Sequence, residues 1–88
     1  MCPQTTIVTL HPHARMRLTE RGATENEVID TILRGETFSA KFGRTGFRLN
    51  FNFDAIWRGK KYGTKQIEAY AVEEQERWIV IIIIVKFF

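Results

Sequence analysis

The segment WIVIIIIVKFF, residues 78–88, decides the fold, because Ile or Val occupies every position from Ile79 to Val85. A strand with one wet face alternates apolar and polar residues, whereas a strand covered on both faces reads as a continuous apolar run. Filling both parities therefore predicts a central strand, buried on both sides. The apolar run from Trp78 to Val85 is also far shorter than the roughly 20 residues needed to span a bilayer. It belongs to the interior of a sheet, and no membrane role is expected.

Working back from this strand, EEQER (residues 73–77) reads as a polar turn and TKQIEAYAV (64–72) as a preceding strand. Further upstream, Phe47, Leu49, Phe51 and Phe53 alternate with Arg48, Asn50, Asn52 and Asp54, the period of a strand with one oily and one polar face. Glycines at both ends of GRTG (43–46) suit a hairpin turn joining that strand to ETFSAKF (36–42). The stretch AIWRGKKYG (55–63) reads as a longer basic loop.

Before the period changes, two helices are expected. Pro12 suits a first helical turn, and Gly22 a left-handed C-cap, giving a helix over residues 12–21. Thr24 and Glu27 form a capping box for a second, residues 25–34, whose Val28, Ile29, Ile32 and Leu33 make an apolar stripe. The β-branched TTIVTL (5–10) is either a short first strand or an extended lead-in. Consecutive hairpins then favour an α+β fold: two N-terminal helices packed on one face of a four-stranded antiparallel β-sheet.

At 88 residues, with 44% hydrophobic and 12% aromatic content, the chain is expected to form a single domain over residues 1–88. Its one cysteine, Cys2, sits at a terminus expected to fray, which excludes an internal disulfide framework and a cysteine-based zinc site. The opening residues lack the basic and apolar regions of a signal peptide. A cytoplasmic location is the expectation.

Charge is unevenly placed. Between Phe38 and Lys65 stand Lys41, Arg44, Arg48, Arg58, Lys60, Lys61 and Lys65 against the single acid Asp54. Such an imbalance is either a set of solvated loop cations or a footprint for a polyanion. His11 and His13 lack the i, i+4 spacing and the companion ligands of a helical metal site. No phosphate-cradling glycine motif occurs, and the lone Ser39 has no nucleophile-elbow context. No metal or other cofactor is called for. On a helix, however, His13, Arg17 and Arg21 recur one turn apart and line one edge. Either they reach out along the surface and pair with Glu20, Glu25 or Glu27, or they form a site.

The stretch HARMRLTERGATENEVIDTILRGE (13–36) resembles the opening of domain-of-unknown-function family 4258. That family is similar to the RelE-like and BrnT-like toxins of bacterial toxin–antitoxin modules. The resemblance implies a RelE-like or barnase-like arrangement and metal-independent cleavage of RNA, often messenger RNA, either free or ribosome-bound, with an antitoxin protein as partner. It marks His13, Arg17 and Arg21 as the polar positions of the first helix. By placement alone, Arg48 and Lys86 match the toxin habit of carrying cations on sheet strands. Ala23 stands where the family has a larger aliphatic residue, and IIIIVKFF carries no hydroxyl where a threonine is common.

RNA supplies its own nucleophile, the 2′-OH, so cleavage needs only a base, cations around the phosphate and an acid for the leaving oxygen. His13 is the candidate proton-transfer group. Arg17 and Arg48 are candidates to neutralise developing charge, with Tyr70 or Lys86 as acid or further clamp. Arg21, Lys41, Arg44, Arg58, Lys60 and Lys61 are the candidate RNA-binding cations. Trp57 and Tyr62 either stack on bases or anchor the basic loop. The competing class is non-catalytic: a module that holds nucleic acid, forms a homodimer or receives an antitoxin segment through the same surfaces.

Overall fold

The computed structural model describes residues 7–88. Cys2 and the first two residues of TTIVTL lie outside them. The element order is β1 (Ile7–Leu10), α1 (Pro12–Arg21), α2 (Glu25–Arg34), β2 (Glu36–Ser39), β3 (Thr45–Trp57), β4 (Lys60–Glu74) and β5 (Arg77–Phe87), with a single helical turn at Lys41–Gly43 before β3.

Both helices form where their end signals stand. In α1 the His11 Nδ1 accepts from the His13 N–H at 3.1 Å, and Gly22 closes the helix at φ 77°. In α2 the Thr24 hydroxyl accepts from the Glu27 N–H at 3.2 Å while the Glu27 carboxylate accepts from the Thr24 N–H at 3.0 Å, the reciprocal capping box. The buried stripe of α2 differs slightly from its apolar pattern. Thr31 is fully buried, its hydroxyl donating to the Glu27 carbonyl at 2.8 Å, and Leu33 is exposed.

The sheet is five-stranded and mixed, in the order β1-β5-β4-β3-β2, rather than four-stranded and antiparallel. The added strand is β1, which runs parallel to β5 with Ile7 opposite Arg77 and Leu10 opposite Val80. Hairpin reasoning could not supply this pairing. β1 and β5 are separated by the whole domain, so no tight turn dictates their relative direction. β5 is a central strand, between β1 and β4, but it is not buried on both faces as its apolar run predicts: no helix among the described residues covers the second face, where Ile82 is 40% exposed. A neighbour on each edge and cover from α1 leave Val80 and Ile83 buried.

The basic stretch 55–63 is likewise not a loop. β3 and β4 continue through it as a twisted ribbon, Ala55 opposite Tyr62 and Trp57 opposite Lys60. The chain reverses at Arg58 and Gly59, both at positive φ (52° and 83°), as the tightest hairpin turns require. A bulge between Asn52 and Ala55, with Asp54 at φ 41°, bends the ribbon. Away from the core, its residues need no alternation, which is why it reads as a loop. The β2–β3 turn sits earlier than the glycines of GRTG suggest, at Phe42 and Gly43 (φ 64° and 71°), and Gly46 lies within β3 opposite Phe38. A Cβ on Gly46 would fall 2.2 Å from the Phe38 ring, so that position is reserved for close packing.

The helices cover one face of the sheet. Val28 and Ile32 of α2, with Ala14 and Leu18 of α1, pack on Phe47, Ile67, Ala69, Ala71, Val80 and Ile83. Strand alternation sends Arg48, Glu68, Tyr70, Ile82, Ile84 and Lys86 to the other, open face. Lys65 is the polar exception on the covered side. It donates to the Glu27 carboxylate at 2.7 Å and to the Gly22 carbonyl at 2.9 Å, tying both helices to β4. It therefore belongs to the interior and contributes nothing to a surface footprint.

Candidate functional site

His13, Arg17 and Arg21 come together. All three are exposed and, with Ala14, line a groove of about 200 Å³ between α1 and the outer edge of β5 at Ile81, Ile82 and Ile83. The spacing of four residues sets them about 6 Å apart along the helix axis. Among the described residues, His13 and Arg21 are in no ion pair, and Arg17 has only a loose contact with Glu20 at 4.0 Å. The expected helix-edge pairing with Glu25 goes instead to Arg15, at 2.7 Å on a different side of α1.

Beyond Arg21 the groove continues between the end of α1 and the tip of the β3–β4 ribbon, lined by Glu20, Trp57, Arg58 and Phe87. Here Arg58 donates to the Glu20 carbonyl at 2.8 Å. Trp57 stacks on Phe87 with centroids 5.3 Å apart and 18° between planes, lies against Gly22, and carries the Arg58 guanidinium 5.1 Å from its centroid. Tyr62 packs on Phe87 at 5.5 Å. Both rings anchor the ribbon to the body of the domain, the second of their two sequence-based readings. Lys60 and Lys61 project from the ribbon; Lys61 faces Asp54 at 3.6 Å and Lys60 lies 5.6 Å from the Tyr62 ring.

Arg48, Tyr70 and Lys86 do not join this groove. They gather on the open face around Glu68, a residue for which the sequence gives no role. Its side chain is only 9% exposed. One carboxylate oxygen lies 3.7 Å from Arg48 and 3.6 Å from Lys86, and the other accepts from the Tyr70 hydroxyl at 3.2 Å. Arg48 also donates to Glu36 at 2.8 Å. That hydrogen bond and the Glu36 charge raise the Arg48 pKa above its usual value. Burial, then the hydrogen bond to Glu68 and its charge, push the Tyr70 phenol up.

The five proton-transfer and phosphate-holding candidates thus fall into two groups, His13 and Arg17 on the helix side of the sheet and Arg48, Tyr70 and Lys86 on its open face. The physical reason is the period of the strand. Arg48 sits between Phe47 and Leu49, whose side chains face the helices, so its own side chain must face away. Glu68 was detectable only through its cross-strand register, which aligns it with Arg48 on one side and Ile84 on the other.

Lys41 and Arg44, in no ion pair among the described residues, flank the turn before β3 at the lip of an apolar groove on the open face. Among the described residues no cluster of three or more His, Cys, Asp or Glu could hold a metal ion. No helix among them is long and apolar enough to cross a membrane. Comparison with protein families, with characterised proteins and with solved structures finds no match to this chain.

Proposed function

We propose that this chain binds single-stranded RNA along the α1–β5 groove. The observation that carries the reading is the row His13, Arg17, Arg21 on one helix edge, exposed, scarcely paired, and continued at Arg58 across a shared groove wall. Cationic contacts from Arg17, Arg21 and Arg58 along that groove can follow the phosphates of an extended polynucleotide. Binding of this kind is electrostatic and weakens with salt.

A second reading, RNA cleavage of the toxin type, is favoured by one further feature: His13 shares the groove with two arginines. On that reading the imidazole takes the 2′-OH proton, the 2′-oxygen bonds to the adjacent phosphorus, and the 5′-oxygen leaves with a proton returned from solvent or the imidazolium. The products are a 2′,3′-cyclic phosphate end and a 5′-hydroxyl end. Arg17 and Arg21 would hold the phosphate, and an antitoxin would be the partner that restrains the activity.

One titration series tests both. Labelled single-stranded RNA should bind the wild-type chain, with affinity falling about tenfold for Arg17→Ala combined with Arg21→Ala, the loss of two charged contacts. Unchanged affinity in that variant rules out the groove. Cleavage of the same RNA, alone and in translating ribosomes, should vanish in His13→Ala while affinity persists if the second reading is right; growth on induced expression, compared with Arg17→Ala, reports the same distinction in cells.

A further inference from the structure

We propose that the apolar groove on the open sheet face is a nucleobase site, receiving one unstacked base of the strand whose phosphates follow α1; this inference rests on the RNA-binding reading. The groove encloses about 410 Å³, room for a nucleotide, between Phe38, Phe42, Tyr70, Ile82 and Ile84. Three features favour a base.

First, the walls are aromatic and one of them is presented outward. Phe42 is 86% exposed and is held at φ 64°, a conformation that β-carbon-bearing residues avoid and that turns usually give to glycine or asparagine. Positive φ recurs at Asp54, Arg58, Gln75 and Glu76 and belongs to turns and a bulge; what sets Phe42 apart is a large aromatic ring left in water at such a place. Phe38, by contrast, is fixed in place, edge-on to Tyr70 with centroids 5.9 Å apart and seated over Gly46. The Phe38 ring also carries the Arg48 guanidinium 5.0 Å from its centroid, so a planar ring entering here stacks on Phe42 and meets Phe38 only as a fixed side wall. Trp57 and Tyr62 are already occupied by Phe87.

Second, the lip is cationic. Lys41 and Arg44 both line the groove, the Arg44 guanidinium 5.8 Å from the Phe42 centroid, and no carboxylate lines it. An apolar guest that carries a phosphate on its polar side satisfies both halves of this surface; an acidic peptide would match the charge without using flat aromatic walls.

Third, the groove and the α1–β5 strip meet at one residue of the β5 edge. Ile82, 40% exposed, lines both. A chain lying along His13, Arg17 and Arg21 would round the β5 edge at that residue and cross the open face toward the β2–β3 turn to lay a base against Phe42.

The test compares a short single-stranded RNA with an abasic strand of the same length and charge. Wild type should prefer the RNA by about tenfold, the effect of stacking a single base. Phe42→Ala should bring RNA affinity down to that of the abasic strand, and Phe42→Trp should restore the preference. A 2-aminopurine placed in the RNA should brighten on binding wild type, as it leaves its stack, and should not on binding Phe42→Ala. Intact RNA binding with no preference over the abasic strand, or a preference that survives Phe42→Ala, overturns the base site and leaves the phosphate strip standing. Failure of wild type to bind either strand overturns both. Sedimentation of the same proteins supplies the remaining outcome: a dimer that Phe42→Ala converts to monomer means a second copy fills the groove, and the proposal falls.

Discussion

Glu68 sets the character of the open face. Placed behind Arg48, Lys86 and Tyr70 and largely shielded from water, it neutralises cations that the sequence offers for catalysis. Burial first, and then the Glu68 hydrogen bond and charge, act on the Tyr70 phenol. Its neutral form is favoured in the fold, so its folded pKa is raised above the ordinary value near 10.0. The stabilisation that follows is fully present below about pH 10 and is lost as pH climbs through the raised value. Tyr70→Phe removes the titrating hydroxyl, so its thermal stability should decline less steeply across the alkaline range than that of wild type. Parallel wild-type and variant curves in melts over that range would contradict the coupling.

At the scale of elements, the two-residue turns explain much that a pattern of hydrophobicity does not show. β4 and β5 reverse at Gln75 and Glu76, both at positive φ (49° and 64°), although neither is a glycine or asparagine. Replacing the pair by Asn-Gly should stabilise the domain by about 1 kcal/mol and raise Tm by roughly 5 °C, as measured by calorimetry. An unchanged Tm would show that the turn carries no strain. The same elements show where sequence reading holds and where it stops. Both helices were legible because their ends are written in local chemistry: Pro12 and Gly22, Thr24 and Glu27. The parallel pairing of β1 was not, since its partner lies at the far end of the chain. Nor was the β3–β4 ribbon, whose residues beyond the core are free of the alternation that betrays a half-buried strand. The helical half of the candidate site was visible as an i, i+4 series. The alternation around Arg48 already implied the opposite face, but only the three-strand register reveals that Glu68 holds it there.

Across the whole molecule, an extended body of 42 × 31 × 20 Å carries its positive charge on separate surfaces. The α1 edge and the Lys41–Arg44 lip are available, whereas Lys65 is internal and Arg48 is matched by Glu36 and Glu68. Glu68→Gln releases Lys86 from its carboxylate. RNA affinity should then rise several-fold at low salt, and the dependence of log affinity on log salt should steepen by about 0.7, the increment for one more neutralised phosphate on a single strand. A slope identical to wild type, measured by fluorescence anisotropy over a salt series, would mean that Lys86 lies outside the path of the polyanion.

The partial coverage of β5 by β1 has its own consequence. β1 pairs only with Arg77 to Val80, so from Ile81 onward the most apolar strand of the domain shows an unsatisfied backbone rim among the described residues. A rim of this kind is a template for self-assembly into stacked sheets. The positive side chains of α1 stand directly over it and would be brought close to their own likeness in any twofold union of two such rims. Like charges meeting there oppose such a union, so the chain carrying Arg17→Ala and Arg21→Ala should aggregate faster than wild type, as light scattering would read.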